Sequence, residues 1–367
     1  MRLPSASDRA KGRCCRIREE SISSVLVALV AISCNKDQPA EDEGDKEPAV
    51  VELSGITLSE HTLSLKKGES TRLEVTFTPA NATDKTVTWE SSDPSVATVQ
   101  NGEVKGLAAG TAEITAKAGK VSDKCQVEVS IPVPEGAVDL GIVITRTDGT
   151  TYRLFWAKSN LSVNGLCANP EEFGDYFAWG EKEPYYAEGN AEISPCSDWR
   201  SGKTGYDWVS YKWCNGARNK LTKYCPADKA DYWGGDTPDG KTELKDYAYE
   251  DDAARYILKG NWRIPTVDEW MALVEQCPSE WTTDYKGLKL RGRVFTSTNG
   301  NSIFIPAAGH RGNDYRYNPN MAGEYLTSCI SAENPCMVKG LYLFAGEPFT
   351  EDDYRCNGRT IRPVCEE

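Results

Sequence analysis

Apolar residues follow two different spacings along this chain, and the change between them falls near residue 132. From Leu53 to Ile131 they recur at every second position: Leu73, Val75 and Phe77; Val87 and Trp89; Ala112, Ile114 and Ala116; Cys125, Val127 and Val129. Successive side chains of a strand point to opposite faces, so each run buries one face and wets the other. Turn signals such as Asn101-Gly102 and Ala109-Gly110 separate the runs, and short alternating strands between turns predict an all-β sandwich over residues 51–131. Cys125 shares the inward face with Val127 and Val129, which makes it a small buried hydrophobe rather than half of a bridge.

The segment Ile131-Pro132-Val133-Pro134-Glu135-Gly136 is a stiff linker over 132–137, because each proline fixes φ and removes a donor. A second domain, 138–367, is organised around Gly260-Asn261-Trp262-Arg263-Ile264-Pro265-Thr266-Val267-Asp268-Glu269-Trp270, a turn, a short strand and a capped helix. Thr266 precedes Glu269 by three residues, the capping-box spacing, so a helix starts at Val267. Val267, Trp270, Met271, Val274 and Cys277 form its apolar stripe, and Pro278 ends it. Upstream, Ala253, Tyr256 and Ile257 predict another helix with Lys259 in its last turn and Gly260 as its stop. Leu288-Lys289-Leu290, Ile303-Phe304-Ile305 and Thr360-Ile361-Arg362-Pro363-Val364 read as strands, the second entered through Asn299-Gly300. The expected unit is one core in which two helices straddle Trp262, with aromatic loops left outside.

The N-terminus has a third pattern. Basic residues fill positions 1–21, and Ile22 to Ile32 is an apolar run of eleven. A resident transmembrane helix needs about 20 residues, so residues 1–33 read as a signal peptide. Glu19 and Glu20 and the length of the basic segment point to a native start downstream of Met1. Ala31 and Ser33 before Cys34 resemble a bacterial lipobox, which implies lipidation of Cys34 and an outer-membrane anchor. Residues 34–50 form an acidic flexible tether too poor in apolar residues to fold. Acidic residues directly behind such a cysteine resemble the export signal of surface-exposed lipoproteins; a plain spacer is the alternative. Aspartate and glutamate outnumber lysine and arginine by 55 to 42, and a net charge of −13 excludes nucleic acid and anionic lipid surfaces as partners.

Within the sandwich, Thr78-Pro79-Ala80-Asn81-Ala82-Thr83, Val87-Thr88-Trp89-Glu90-Ser91-Ser92, Ser95-Val96-Ala97-Thr98-Val99 and Ala109-Gly110-Thr111-Ala112 resemble the bacterial Ig-like group 2 domain. That family supplies stalks and adhesive modules of surface proteins, and a single copy favours the stalk. Val138-Asp139-Leu140-Gly141, Phe173-Gly174-Asp175-Tyr176-Phe177-Ala178-Trp179-Gly180-Glu181, the Trp262 stretch and Asn301-Ser302-Ile303-Phe304-Ile305-Pro306-Ala307-Ala308-Gly309 resemble the FISUMP-type "major paralogous" family over about 138–366. The resemblance extends to the C-type-lectin-like fold shared with formylglycine-generating enzymes. It implies an α+β domain rich in irregular loops whose terminal strands meet.

Candidate chemistry lies in this head. Thirteen aromatics fall between Tyr176 and Trp233, without regular period. Rings on loops either stack against a glycan or peptide or pin a long insertion from below. On the first reading Trp208, Trp213, Trp199, Tyr211 and Tyr186 are the ligand-binding candidates, with Trp208 and Trp213 the most exposed. Asp228, Asp231, Asp236 and Asp239 punctuate a glycine-containing loop; Asp231, Asp236 and Asp239 could hold calcium, although a solvated acidic loop explains them too. Glu333-Asn334-Pro335 has the residues of the lectin calcium phrase in the wrong order. Nine cysteines leave an odd one over; Tyr256 stands where the lectin-like fold often has a helix cysteine, so Cys365 pairs elsewhere or stays reduced. Cys329 and Cys336 are the nearest match to the cysteine pair of the formylglycine-generating oxidases, but their spacing departs from it, and no catalytic set emerges. His310 lacks an evident orienting carboxylate in sequence. The expectation is a surface-displayed lipoprotein whose Ig-like stalk presents a non-catalytic head to a glycan or protein ligand. The alternatives are a formylglycine-generating-type enzyme and a structural subunit of a surface assembly.

Overall fold

The computed structural model describes residues 49–185 and 202–367. The signal-peptide run, Cys34, the tether as far as residue 48, Tyr186, Cys196 and Trp199 lie outside the described residues.

The N-terminal body has nine strands: β1 (Gly55–Leu58), β2 (Thr62–Lys66), β3 (Ser70–Arg72), β4 (Val75–Thr78), β5 (Thr88–Ser91), β6 (Ala97–Gln100), β7 (Glu103–Gly106), β8 (Gly110–Ala118) and β9 (Val121–Ser130). They pair as β2-β9-β8-β5, β3-β7-β6 and β1-β4. Ile114 stands opposite Cys125 and Ala112 opposite Val127, so the alternating residues of β8 and β9 enter one core together with Val104 and Leu73. Cys125 is fully buried there and unbridged. Asn101 and Gly102 both take positive φ, as a two-residue hairpin turn between β6 and β7 requires. A side chain at Gly102 would also meet the Leu73 carbonyl at 2.7 Å.

The head opens with β10 (Ala137–Thr145) and β11 (Thr151–Ala157), followed by the two-residue pair β12 (Leu161–Ser162) and β13 (Gly165–Leu166). Irregular chain then leads to α1 (Ala253–Leu258) and α2 (Val267–Gln276). The remaining strands are β14 (Ser279–Thr282), β15 (Gly292–Thr296), β16 (Ser302–Pro306), β17 (His310–Gly312), β18 (Tyr315–Tyr317), β19 (Gly323–Ile330), β20 (Met337–Leu343), β21 (Phe349–Tyr354), β22 (Gly358–Arg359) and β23 (Val364–Glu366). They form three-stranded sheets β10-β11-β23, β14-β15-β16, β18-β17-β22 and β19-β20-β21. The two helices, of six and ten residues, are a small part of a mainly strand-built body.

Trp156 of β11, Trp270 of α2 and Tyr325 of β19 meet at the centre, the two indoles 4.5 Å apart. The capping box forms as expected: Glu269 N–H donates to Thr266 Oγ1 at 3.2 Å and Thr266 N–H to Glu269 Oε2 at 2.8 Å. The face of α2 is rotated from the expected stripe. Trp270, Leu273 and Cys277 lie deepest, while Val267, Met271 and Val274 are half-buried.

Three expected strands change. The segment through Trp262 makes one isolated backbone bridge, Arg263 with Val364, and Trp262 is half-buried. Residues 288–290 are not a strand, because Lys289 takes φ 55° and Leu288 is exposed; pairing begins at Gly292. Residues 360–363 are not a ladder either, since Pro363 has no N–H to give. Instead buried Arg362 donates to Asn160 Oδ1, the Ala157 carbonyl and the Phe304 carbonyl.

Candidate functional site

The aromatic segment folds inward. Tyr176, Phe177, Trp179, Tyr185, Tyr206, Tyr211 and Tyr224 are buried, and Trp208, Trp213, Tyr232 and Trp233 are half-buried. The polar handles of the buried tyrosines and of Trp179 and Trp213 are used internally. Tyr211 Oη donates to the Trp179 carbonyl at 2.8 Å, Trp213 Nε1 to the Gly180 carbonyl at 2.7 Å, and Trp179 Nε1 to the Thr327 carbonyl at 2.9 Å. Buried Arg355 threads the layer, donating to Tyr211 Oη and to the Tyr224 and Pro335 carbonyls.

Tyr211 is therefore a core residue, which corrects its assignment as a ligand contact. Trp213 lies under the ammonium groups of Lys212 and Lys223, at 4.2 and 4.7 Å from its ring centre. Trp208 packs edge-on against Tyr211 and Tyr354. Neither indole is exposed, so these rings anchor the long insertion.

The acidic loop is also structural. Asp239 accepts from the backbone N–H groups of Tyr224, Cys225 and Lys241 and from Tyr247 Oη, two donors on each carboxylate oxygen. Asp231 and Asp236 are exposed, and the three do not converge as a calcium site.

Cys329 and Cys336 do not pair. Cys336 is buried, its thiol 2.8 Å from the Arg218 carbonyl and pushed up to about 11 by burial. Cys329 lines a cleft of about 400 Å³ with Thr266, Val267 and Glu243, and burial raises its pKa too. A nucleophilic or metal-binding cysteine needs its thiolate, and both sites disfavour it. All nine described cysteines are unbridged, Cys365 among them.

The exposed rings lie elsewhere. Of the described aromatics with large exposure, Tyr315, Tyr317, Phe349 and Tyr354 come from the last third of the head. Tyr315 and Tyr317 share one side of β18, and Tyr317 stacks on His310 with ring centres 5.1 Å apart. His310 Nδ1 and Glu324 Oε1 are 2.7 Å apart, so the structure supplies the orienting carboxylate that the sequence does not reveal. Glu324 stands opposite Tyr342, which stands opposite Phe349, their rings 5.2 Å apart. Two positions on, Glu351 and then Asp353 share that face of β21.

Arg359 Nη2 reaches Asp353 Oδ2 at 2.5 Å and lies 3.7 Å from Glu324 Oε2. Its guanidinium lies over Gly340, where an added Cβ would sit 3.5 Å from Nη1. The result is a floor of carboxylates and imidazole bordered by Tyr315, Tyr317, Tyr342 and Phe349. Sequence reasoning missed it because these residues are spread over six strands, β17 to β22, each carrying one to three.

Residues 52–129 match the bacterial Ig-like domain (group 2) family model, which defines the class of the N-terminal body. An Ig-like virion protein of Serratia phage KSP90 is 39% identical over 132 residues, which are 34% of this chain and 51% of that protein. An alpha-L-arabinofuranosidase of Bifidobacterium longum subsp. longum is 42% identical over 85 residues, 23% of this chain and 8% of that enzyme. An A type blood N-acetyl-alpha-D-galactosamine deacetylase of Flavonifractor plautii is 37% identical over 91 residues, 24% of this chain and 12% of the enzyme. The chain thus spans about half the length of the first relative and 8% and 12% of the other two. Domains 4 and 5 of the S-layer protein SbsC superpose with a TM-score of 0.19 at 26% identity, over 21% of this chain and 51% of that one. Among the described residues no helix is long and apolar enough to cross a membrane.

Proposed function

We propose that this chain is a surface-displayed lipoprotein in which the Ig-like body is a stalk and the head is a non-catalytic binding module of C-type-lectin-like kind. Lipidation at Cys34 and the acidic tether supply the anchor, and surface display accords with the Ig-like match. The lectin-like reading draws support from the pairing of β23 with β11 beside β10, which brings the two ends of the head together.

One observation carries the binding reading: of the five exposed aromatics described in the head, Tyr315, Tyr317 and Phe349 lie on β18 and β21 beside buried Glu324 and half-buried His310, Glu351 and Asp353, whereas Tyr256 and Tyr354 lie elsewhere. Aromatic faces beside fixed carboxylates suit a sugar, whose C–H faces stack while its hydroxyls donate to the acids. The glycan is thus the first ligand to test and a peptide the second.

A glycan array of the full chain tests this. Tyr317→Ala and Phe349→Ala are expected to lose at least tenfold in binding, about 1.4 kcal/mol or more. Trp208→Ala is expected to retain the wild-type ligand profile. A profile unchanged by both ring deletions on the carboxylate face would remove that face as the site.

A further inference from the structure

Among the described residues, one group of histidine, cysteine, aspartate and glutamate side chains brings its donor atoms together. His310 on β17, Glu324 on β19 and Asp353 on β21 each offer one atom, all within 4.8 Å of one another. Three strands far apart in sequence deliver one imidazole and two carboxylates, a mixed set of the kind that holds borderline divalent metals.

The charge around them is unbalanced. Glu324, Glu351 and Asp353 face a single guanidinium, Arg359, which leaves two negative charges uncompensated when His310 is neutral. Arg359 is 1% exposed and its Nη1 has no hydrogen-bond partner. A buried N–H without an acceptor is costly, so this corner of the site is not fully satisfied by protein groups alone. Arg359 Nη2 and Asn357 Nδ2 both donate to Asp353 Oδ2, as the outer layer of a metal site holds its carboxylates.

We propose that His310, Glu324 and Asp353 bind one divalent transition-metal ion of the zinc class, with Arg359 and Asn357 orienting the carboxylates. Calcium and magnesium are disfavoured by the imidazole donor. The occupant is a metal ion whatever ligand the aromatic face takes, so failure of the glycan array leaves this site standing.

The test uses the full chain, stripped with chelator and titrated with Zn²⁺ by calorimetry, with bound metal counted by mass spectrometry. One zinc per chain is expected, with affinity reduced on the order of tenfold or more in His310→Gln and in Asp353→Asn, and no competition from millimolar Ca²⁺. Co²⁺ substitution should give visible absorption bands free of thiolate charge transfer. Failure to retain stoichiometric zinc overturns the proposal, as does zinc binding unaltered in both variants, which would locate the ion on cysteines. If either variant is unfolded by circular dichroism, Glu351→Gln serves in its place. It is expected to weaken binding roughly threefold through lost charge, and unchanged binding there overturns the proposal equally.

Discussion

Glu269 divides one carboxylate among three partners. It closes the capping box of α2, accepts a two-pronged contact from Arg263 at 2.7 and 2.5 Å, and accepts Tyr152 Oη at 2.7 Å, all while fully buried. Burial, the largest single influence, raises its pKa, but the Arg263 hydrogen bonds and charge, with the Thr266 N–H and the Tyr152 hydroxyl, together hold it below the ordinary 4.5. Truncation leaves Arg263 buried with only Glu366, so Glu269→Ala is expected to cost about 3–5 kcal/mol in urea unfolding.

A neighbouring acid works in the opposite direction. Asp252, the N-cap of α1, is pushed up to about 6 by burial while it accepts from the Arg255 and Ile264 N–H groups. The folded state therefore holds its proton more tightly than the unfolded chain. Asp252 makes stability fall as pH rises from 3.8 to about 6, whereas Glu269 adds stability above 4.5 that is lost as pH falls below it. Asp252→Asn should flatten the urea midpoint across the first window, and an unchanged slope would contradict the assignment. The capping box was legible from Thr266 and Glu269. The Arg263 pairing was not, because it depends on the bridge to Val364, 101 positions away by number.

The elements with regular period were the ones readable in sequence. In β8 and β9, alternation alone names the core residues, since one face packs on the sandwich and the other is wet. In the head, the longer strands β11 and β19 are buried on both faces and the others are mostly short, so little alternation shows, and residues 288–290 and 360–363 illustrate the result. Backbone approach decides several of these segments. An added Cβ at Gly358 of β22 would stand 2.4 Å from the Tyr206 ring, whose hydroxyl is fixed on the Tyr176 carbonyl. Gly358→Ala is expected to destabilise the head by about 1–3 kcal/mol through overpacking, read as a fall in melting temperature. Thr266→Ala, which removes only the cap of α2, should cost about 1 kcal/mol.

Over the whole molecule, aromatic content misled as to position. Rings between residues 176 and 233 are plentiful because a long insertion needs an interior of its own, and Arg355 supplies its polar centre. Apart from Tyr256, the most outward of the described rings come from a later stretch in which aromatic residues are no denser. The cysteines follow the same inward rule: of the nine described, only Cys329 is half-exposed. A thiol reagent applied to the folded chain is expected to modify Cys329 first and the other eight only after denaturation. Rapid labelling of several of those eight would contradict the packing.

The head's first and last strands flank the same partner, β11, with Ala137 opposite Ala157 and Val364 opposite Trp156. The entry and exit strands thus run parallel on either side of β11, with Ala137 level with Ala157 and Glu366 level with Leu154, three strand positions along. A short glycine–serine bridge from Glu367 back to Gly136 would let the chain be cut open at the Asp148-Gly149 bend instead. The module could then be spliced into the loop of another protein without unthreading its fold.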